Sequence, residues 1–84
     1  MFERGTVVKS AAGRDKGKLL AIVQCDKTRV LVCDGKERPV DRPKSKNIRH
    51  VESVGVSVTE AEMATNRALK KAIARLNAEI NGNT

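Results

Sequence analysis

The chain has 84 residues, 39% hydrophobic and 32% charged, with seventeen Lys and Arg against ten Asp and Glu for a formal net charge of +7. A chain this short hides only about 60–65% of the surface its unfolded form exposes, which argues against a deep catalytic cavity. Phe2 is the one aromatic residue, so the core must be built from Val, Ile, Leu and Ala, and a surface that stacks many unpaired bases on aromatic rings is excluded.

The charge is unevenly distributed. Residues 1–50 carry thirteen Lys and Arg against six Asp and Glu, whereas residues 51–84 carry four of each. A surplus confined to the first fifty residues points to a polyanionic partner, RNA or DNA ahead of an anionic membrane. The balance in residues 51–84 counts against a cationic membrane-surface helix. No apolar run of signal-peptide length opens the chain, and the longest continuous apolar run is Leu19 to Val23. A cytoplasmic protein with reduced Cys25 and Cys33 is therefore expected.

In chain order, Thr6-Val7-Val8-Lys9 predicts a short β-branched strand that enters a loop, Ser10 to Lys18, holding two glycines. Leu19 to Cys25 and Val30 to Cys33, separated by the polar Asp26-Lys27-Thr28-Arg29, predict a β-hairpin. Asp34-Gly35 is a turn dipeptide. The following Arg38-Pro39-Val40-Asp41 reads as at most a short edge strand, because Pro39 has no N–H for a ladder. Arg42 to Asn47 reads as a basic connection containing up to one tight helical turn, ahead of a fifth strand at Ile48 to Val51.

Five short strands joined by tight turns predict a mainly β fold, a small five-stranded SH3-like barrel in which closure removes exposed edges. Residues 1–52 are assigned to the barrel and 53–58, rich in Ser, Val and Gly, to a linker. Residues 59–81 are assigned to one C-terminal amphipathic helix that starts at a Thr59/Glu62 capping box and stops at Asn81-Gly82. Its apolar seam is Leu69, Ile73, Leu76 and Ile80. That seam suits docking on the barrel or, alternatively, pairing in a homodimer.

The run Gly5-Thr6-Val7-Val8-Lys9-Ser10, then Gly13-Arg14-Asp15-Lys16-Gly17-Lys18 and Val30-Leu31-Val32, resembles the KOW motif. The continuation through Asp34-Gly35-Lys36-Glu37-Arg38 and Pro43-Lys44-Ser45-Lys46-Asn47-Ile48-Arg49-His50 is similar to single-KOW large-subunit ribosomal proteins of archaea and eukaryotes and their small bacterial relatives. The resemblance covers about 47 of the 84 residues and leaves out the C-terminal helix. It implies an SH3-like barrel, RNA as the ligand, ribosomal RNA first, and ribosomal proteins as possible neighbours.

Two segments are the candidate RNA-binding site. In the first, Gly13 and Gly17 permit backbone conformations that bring amides close to a phosphate, while Lys9, Ser10, Arg14, Lys16 and Lys18 supply charge and hydrogen bonds. An ordinary solvated turn is the alternative. In the second, Arg38, Arg42, Lys44, Lys46, Asn47, Arg49 and His50 are interrupted by a single acid, Asp41. Such a density of like charge is relieved by an anionic partner, a face that merely promotes solubility being the alternative.

With so few aromatics, recognition is expected through phosphates, 2′-hydroxyls and shape, with at most one or two bases touched by Arg14, Asn47, Arg49 or His50. His50, Cys25 and Cys33 have no zinc-ligand spacing, so neither a metal nor any other cofactor is expected. One histidine and no activated nucleophile argue against an enzyme. The expected function is non-enzymatic binding of structured RNA, associated with the ribosome. A KOW module that docks protein in a transcription or translation complex is the alternative, and an exposed apolar patch would distinguish it.

Overall fold

The structure, a computed structural model, describes residues 2–82. Met1, assigned to the barrel with residues 2–52, lies outside the described residues. Strand β1 is Thr6–Ser10, β2 is Leu19–Cys25 and β3 is Arg29–Cys33, each where an apolar, β-branched run favours extended backbone. They pair antiparallel in sequence, with Val7 opposite Ala21 and Val8 opposite Leu20, then Ala21 opposite Cys33 and Ile22 opposite Val32. Residues directly opposite one another share a face, so this register sorts the apolar side chains into two cores.

Downstream, the expected elements need correction. Arg38 to Asp41 is turn, and β4 is Lys44–Asn47, a stretch expected to be a basic connection. The tight helical turn follows it at Ile48–His50, where the Asn47 side chain accepts from the Arg49 amide. The fifth strand, β5, is Val51–Ser57, so most of the expected linker is ladder paired to β1. Its single glycine, Gly55, adopts a positive φ at a register irregularity where Thr6 faces Ser57 and Val8 faces Ser53. A glycine at a bulge is compatible with a strand, which is why composition alone misleads over this segment.

The expected SH3-like barrel is not formed. The five strands make one open antiparallel sheet in the order β4-β3-β2-β1-β5, and β4 and β5 remain its edges. β4 is only four residues long and turns at once, the Ile48 amide donating to the Thr28 carbonyl and not to a β5 partner. β5 then leaves along β1 alone, so no ladder closes the sheet among the described residues.

The single C-terminal helix is also corrected, to two. Helix α1, Glu60–Met63, has the capping box: the Thr59 hydroxyl accepts from the Glu62 amide, and the Glu62 carboxylate accepts from the Thr59 amide. The chain then stops and restarts, because Thr65 adopts extended backbone and caps α2, Asn66–Asn81, by accepting from the Ala68 amide. Leu69, Ala72 and Leu76 of α2 are buried with Val7, Leu19, Ala21, Cys33, Val58 and Met63, the core between the helices and one sheet face. Ile73 packs partly against it, whereas Ile80, expected in the seam, is exposed. Leu69 and Leu76, with Ile73 in part, thus dock the seam within the chain, and Ile80 does not take part.

The other sheet face buries Val8, Leu20, Ile22, Val30, Val32 and Val51, with Phe2, Cys25 and Ile48 packed around them. Neither α1 nor α2 contributes to this second core, whereas Ile48 of the tight helical turn does. Register irregularities interrupt two of the ladders, β1/β5 between Thr6 and Val8 and β2/β3 between Ile22 and Gln24, the kind of break that locally increases strand twist.

Candidate functional site

The two basic segments come together in the fold, but not all of their residues face solvent. The loop after β1 is pinned from several directions: the Ala11 amide donates to the His50 carbonyl at 2.8 Å, the Ser10 amide to Lys18 at 2.9 Å and the Gly17 amide to Ser10 at 2.8 Å. Lys16 and Lys18 donate their amides within the loop, to Gly13 and Asp15. The amides expected to approach a phosphate at Gly17 are therefore used internally. Gly17 has φ +90° with open space where a Cβ would stand, which is the role of a glycine in an ordinary turn.

Ser10 and Lys46 are corrected most sharply. Both are buried, at 1% and 6% exposure, and both serve the fold. Lys46 Nζ lies 3.0 Å from Asp15 Oδ1 and 3.1 Å from the Ala12 carbonyl, while the Ser10 hydroxyl donates to Asp15 at 2.8 Å. Lys44 Nζ stands 3.9 Å from the other Asp15 oxygen. These contacts tie the edge strand β4 to the loop beyond β1, bridging with side chains what no ladder bridges. Burial pushes the Asp15 carboxyl up, but the hydrogen bonds from Lys46 and Ser10 and the charges of Lys46 and Lys44 outweigh it, leaving the group below its ordinary value.

Other predicted contacts are partly committed. Lys18 forms an ion pair with Glu37, and Asn47 is occupied as the cap of the helical turn. Lys9 and Lys44 are half-buried, whereas Arg14, Lys16, Arg38, Arg42, Arg49 and His50 are exposed. Among the described residues, none of these six forms an ion pair.

Arg14, Lys18, Arg38 and Lys44, from three sequence-distant segments, line a cleft of about 200 Å³ together with Asp15, Asp34 and Glu37. The three carboxylates are engaged: Asp15 by Lys46 and Ser10, Glu37 with Lys18, and Asp34 by accepting the Lys36 and Arg38 amides at 2.9 and 3.0 Å. Arg14 and Arg38 are left as the cleft's uncompensated charges, and the His50 carbonyl holds the loop from its far side.

Cys25 and Cys33 are free thiols on opposite faces of the sheet, one beside each core. Burial, with a smaller contribution from Asp34, pushes the Cys33 thiol up to about 11. Among the described residues no three His, Cys, Asp or Glu side chains gather as a metal site, and no helix is long and apolar enough to cross a membrane.

No family model matches the chain, and no curated protein matches it. The open sheet corrects the SH3-like barrel expected from Gly5 to Val51, and the descriptions KOW domain, ribosomal protein and rRNA-binding protein gain no support from kinship. Charge and geometry alone are left to indicate a function.

Proposed function

We infer that this protein is a non-enzymatic, cytoplasmic binder of structured RNA that contacts phosphates and backbone shape through exposed cations at one end of its sheet. The observation that carries this reading is the convergence of Arg14 and Arg38 on one cleft whose carboxylates are already committed. Cations held near one another without counter-ions repel, and a phosphate backbone relieves that repulsion while releasing its own condensed counter-ions. Lys16, Arg42 and Arg49 are likewise exposed and form no ion pair among the described residues. Sequence preference is weak in this reading, since no aromatic platform accompanies the cations.

Docking of a protein partner is less well supported. A protein-binding surface needs an apolar patch, and Ile80 is the exposed large hydrophobic residue among those described. The test is a titration of the full chain with an RNA hairpin at several salt concentrations. Neutralising about six phosphates predicts an affinity loss of about 10³ between 50 and 200 mM salt. Binding without salt dependence, or none at low salt, refutes the reading; crosslinking in cells then identifies the RNA.

A further inference from the structure

The even charge of residues 51–84 conceals a segregation that appears only in the fold. Their acids are largely engaged: Glu60 with Arg4, and Glu62 and Glu79 with Arg75. Arg67, Lys70 and Lys71, in the first two turns of α2, are exposed and form no ion pair among the described residues. The first turn of α2 contains no acid, although a carboxylate there would complement the helix dipole and Arg67 opposes it.

The start of α2 is seated on the turn that follows β3. The Val40 amide donates to Asn66 Oδ1 at 2.8 Å, and Gly35 lies so close to the helix that a Cβ would stand 2.3 Å from the Asn66 carbonyl oxygen and 2.9 Å from the Lys70 amide. This contact places Lys36 and Lys70 on a common groove of about 360 Å³, lined also by Leu19, Ile73 and Ala74. The groove and the Arg14/Arg38 cleft share Lys18, Asp34 and Glu37 as lining residues, so the two adjoin at the Lys18–Glu37 ion pair.

We propose that the RNA-contacting surface continues from the cleft over the Lys18–Glu37 pair into the groove against α2, where Lys36 and Lys70 contact phosphates of the same RNA. The occupant follows from charge complementarity and adjacency: a polyanion laid in the cleft and extended past Lys18 reaches the groove lined by Lys36 and Lys70. This extension rests on the reading of the cleft as an RNA-binding surface. Arg67 precedes Lys70 by three residues, a helical spacing that shares a face, at a mild cost to its own helix.

The experiment uses the full chain and one RNA hairpin, comparing Lys36→Gln/Lys70→Gln with Arg14→Gln/Arg38→Gln. Each lysine or arginine withdrawn from a phosphate lowers the salt slope by about 1, so each double variant should lose about 2, equal to about a 16-fold smaller affinity loss between 50 and 200 mM salt. If the groove variant keeps the wild-type slope while the cleft variant loses its share, the RNA ends at the Lys18–Glu37 pair and the extension is overturned while the cleft reading survives. If the wild-type chain shows no salt-dependent binding, or only the groove variant weakens it, the cleft reading itself fails and takes the extension with it. Arg67→Gln guards against a folding artefact: it should lower the slope by up to about 1 with an unchanged or higher melting temperature, a combination that lost packing cannot produce.

Discussion

Replacing Lys46 by methionine tests the side-chain bridge that holds the sheet edge. The change keeps most of the apolar stem and removes an ammonium that is 3.0 Å from Asp15 and 3.1 Å from the Ala12 carbonyl. Breaking a fully buried ion pair by deleting one partner costs about 3–5 kcal/mol. Here the Asp15 side chain retains 16% exposure, the Ser10 hydroxyl and Lys44 at 3.9 Å, so the survivor is not stranded. A loss of about 2–3 kcal/mol is expected, the worth of two hydrogen bonds to a charged group discounted for that residual solvation. For a domain of this size that lowers the melting temperature by about 10–20 °C. Thermal and urea unfolding measure it, and the double variant Asp15→Asn/Lys46→Met should be clearly less destabilised than the sum of its single changes. A shift below about 2 °C, or strict additivity, refutes the bridge. A normal melting temperature with weakened RNA binding would restore Lys46 to the contact surface that its place in a basic run suggests.

The same bridge predicts a pH dependence. The Asp15 carboxyl titrates lower in the folded chain than in the unfolded one, so its stabilisation is complete above about pH 4 and is lost as pH falls through the folded value; Asp15→Asn should flatten that limb of an unfolding-versus-pH curve. Gly35→Ala should cost about 3 kcal/mol, since the methyl would meet the α2 backbone and φ is +79°, while Gly17→Ala should cost only about 1 for its positive φ; equal losses in urea unfolding would refute the docking of α2 on this turn. Thiol labelling at pH 8 should modify half-buried Cys25 in the folded protein and reach Cys33, held near 11 by burial, only on unfolding; mass spectrometry showing Cys33 modified first would contradict the core assignment. Glu37→Gln should free Lys18 and tighten RNA binding several-fold at low salt, steepening the salt slope by about 1, whereas weaker binding would show that the ion pair organises the surface.

Much of the local structure is legible because it depends on neighbours in sequence. The apolar runs of β1, β2 and β3 mark their own strands, and the Thr59/Glu62 pair marks a helix start through two backbone amides three residues apart. The separation of Cys25 from Cys33 is not legible in this way: an unbroken two-residue period would set both on one face, and the register shift between Ile22 and Gln24 parts them. β5 carries a readable signal as well: Val54 and Val56 alternate with Ser53, Gly55 and Ser57, the half-buried pattern that its glycine content disguises. The break between α1 and α2 has one too, in Thr65 as a second helix cap.

The candidate site divides along the same line. Composition and residue order establish that the chain is strongly cationic, that the excess lies in its first fifty residues, and that aromatic base stacking is closed to it, because none of this needs geometry. Which cations remain for a partner is a matter of the fold. Lys46 is indistinguishable in sequence from its neighbours in a basic run. Its pairing opposite Val30 turns it inward, toward the core that Val8 and Ile22 share, where Asp15 neutralises it. Lys36 and Lys70 are distant along the chain and sit in segments of ordinary charge, yet the close approach of α2 to Gly35 sets them on one groove. The open sheet has the same origin: strand propensities count strands, but whether the last edge meets the first depends on the path of the turn between β4 and β5, which is set by long-range contacts such as Ile48 with Thr28.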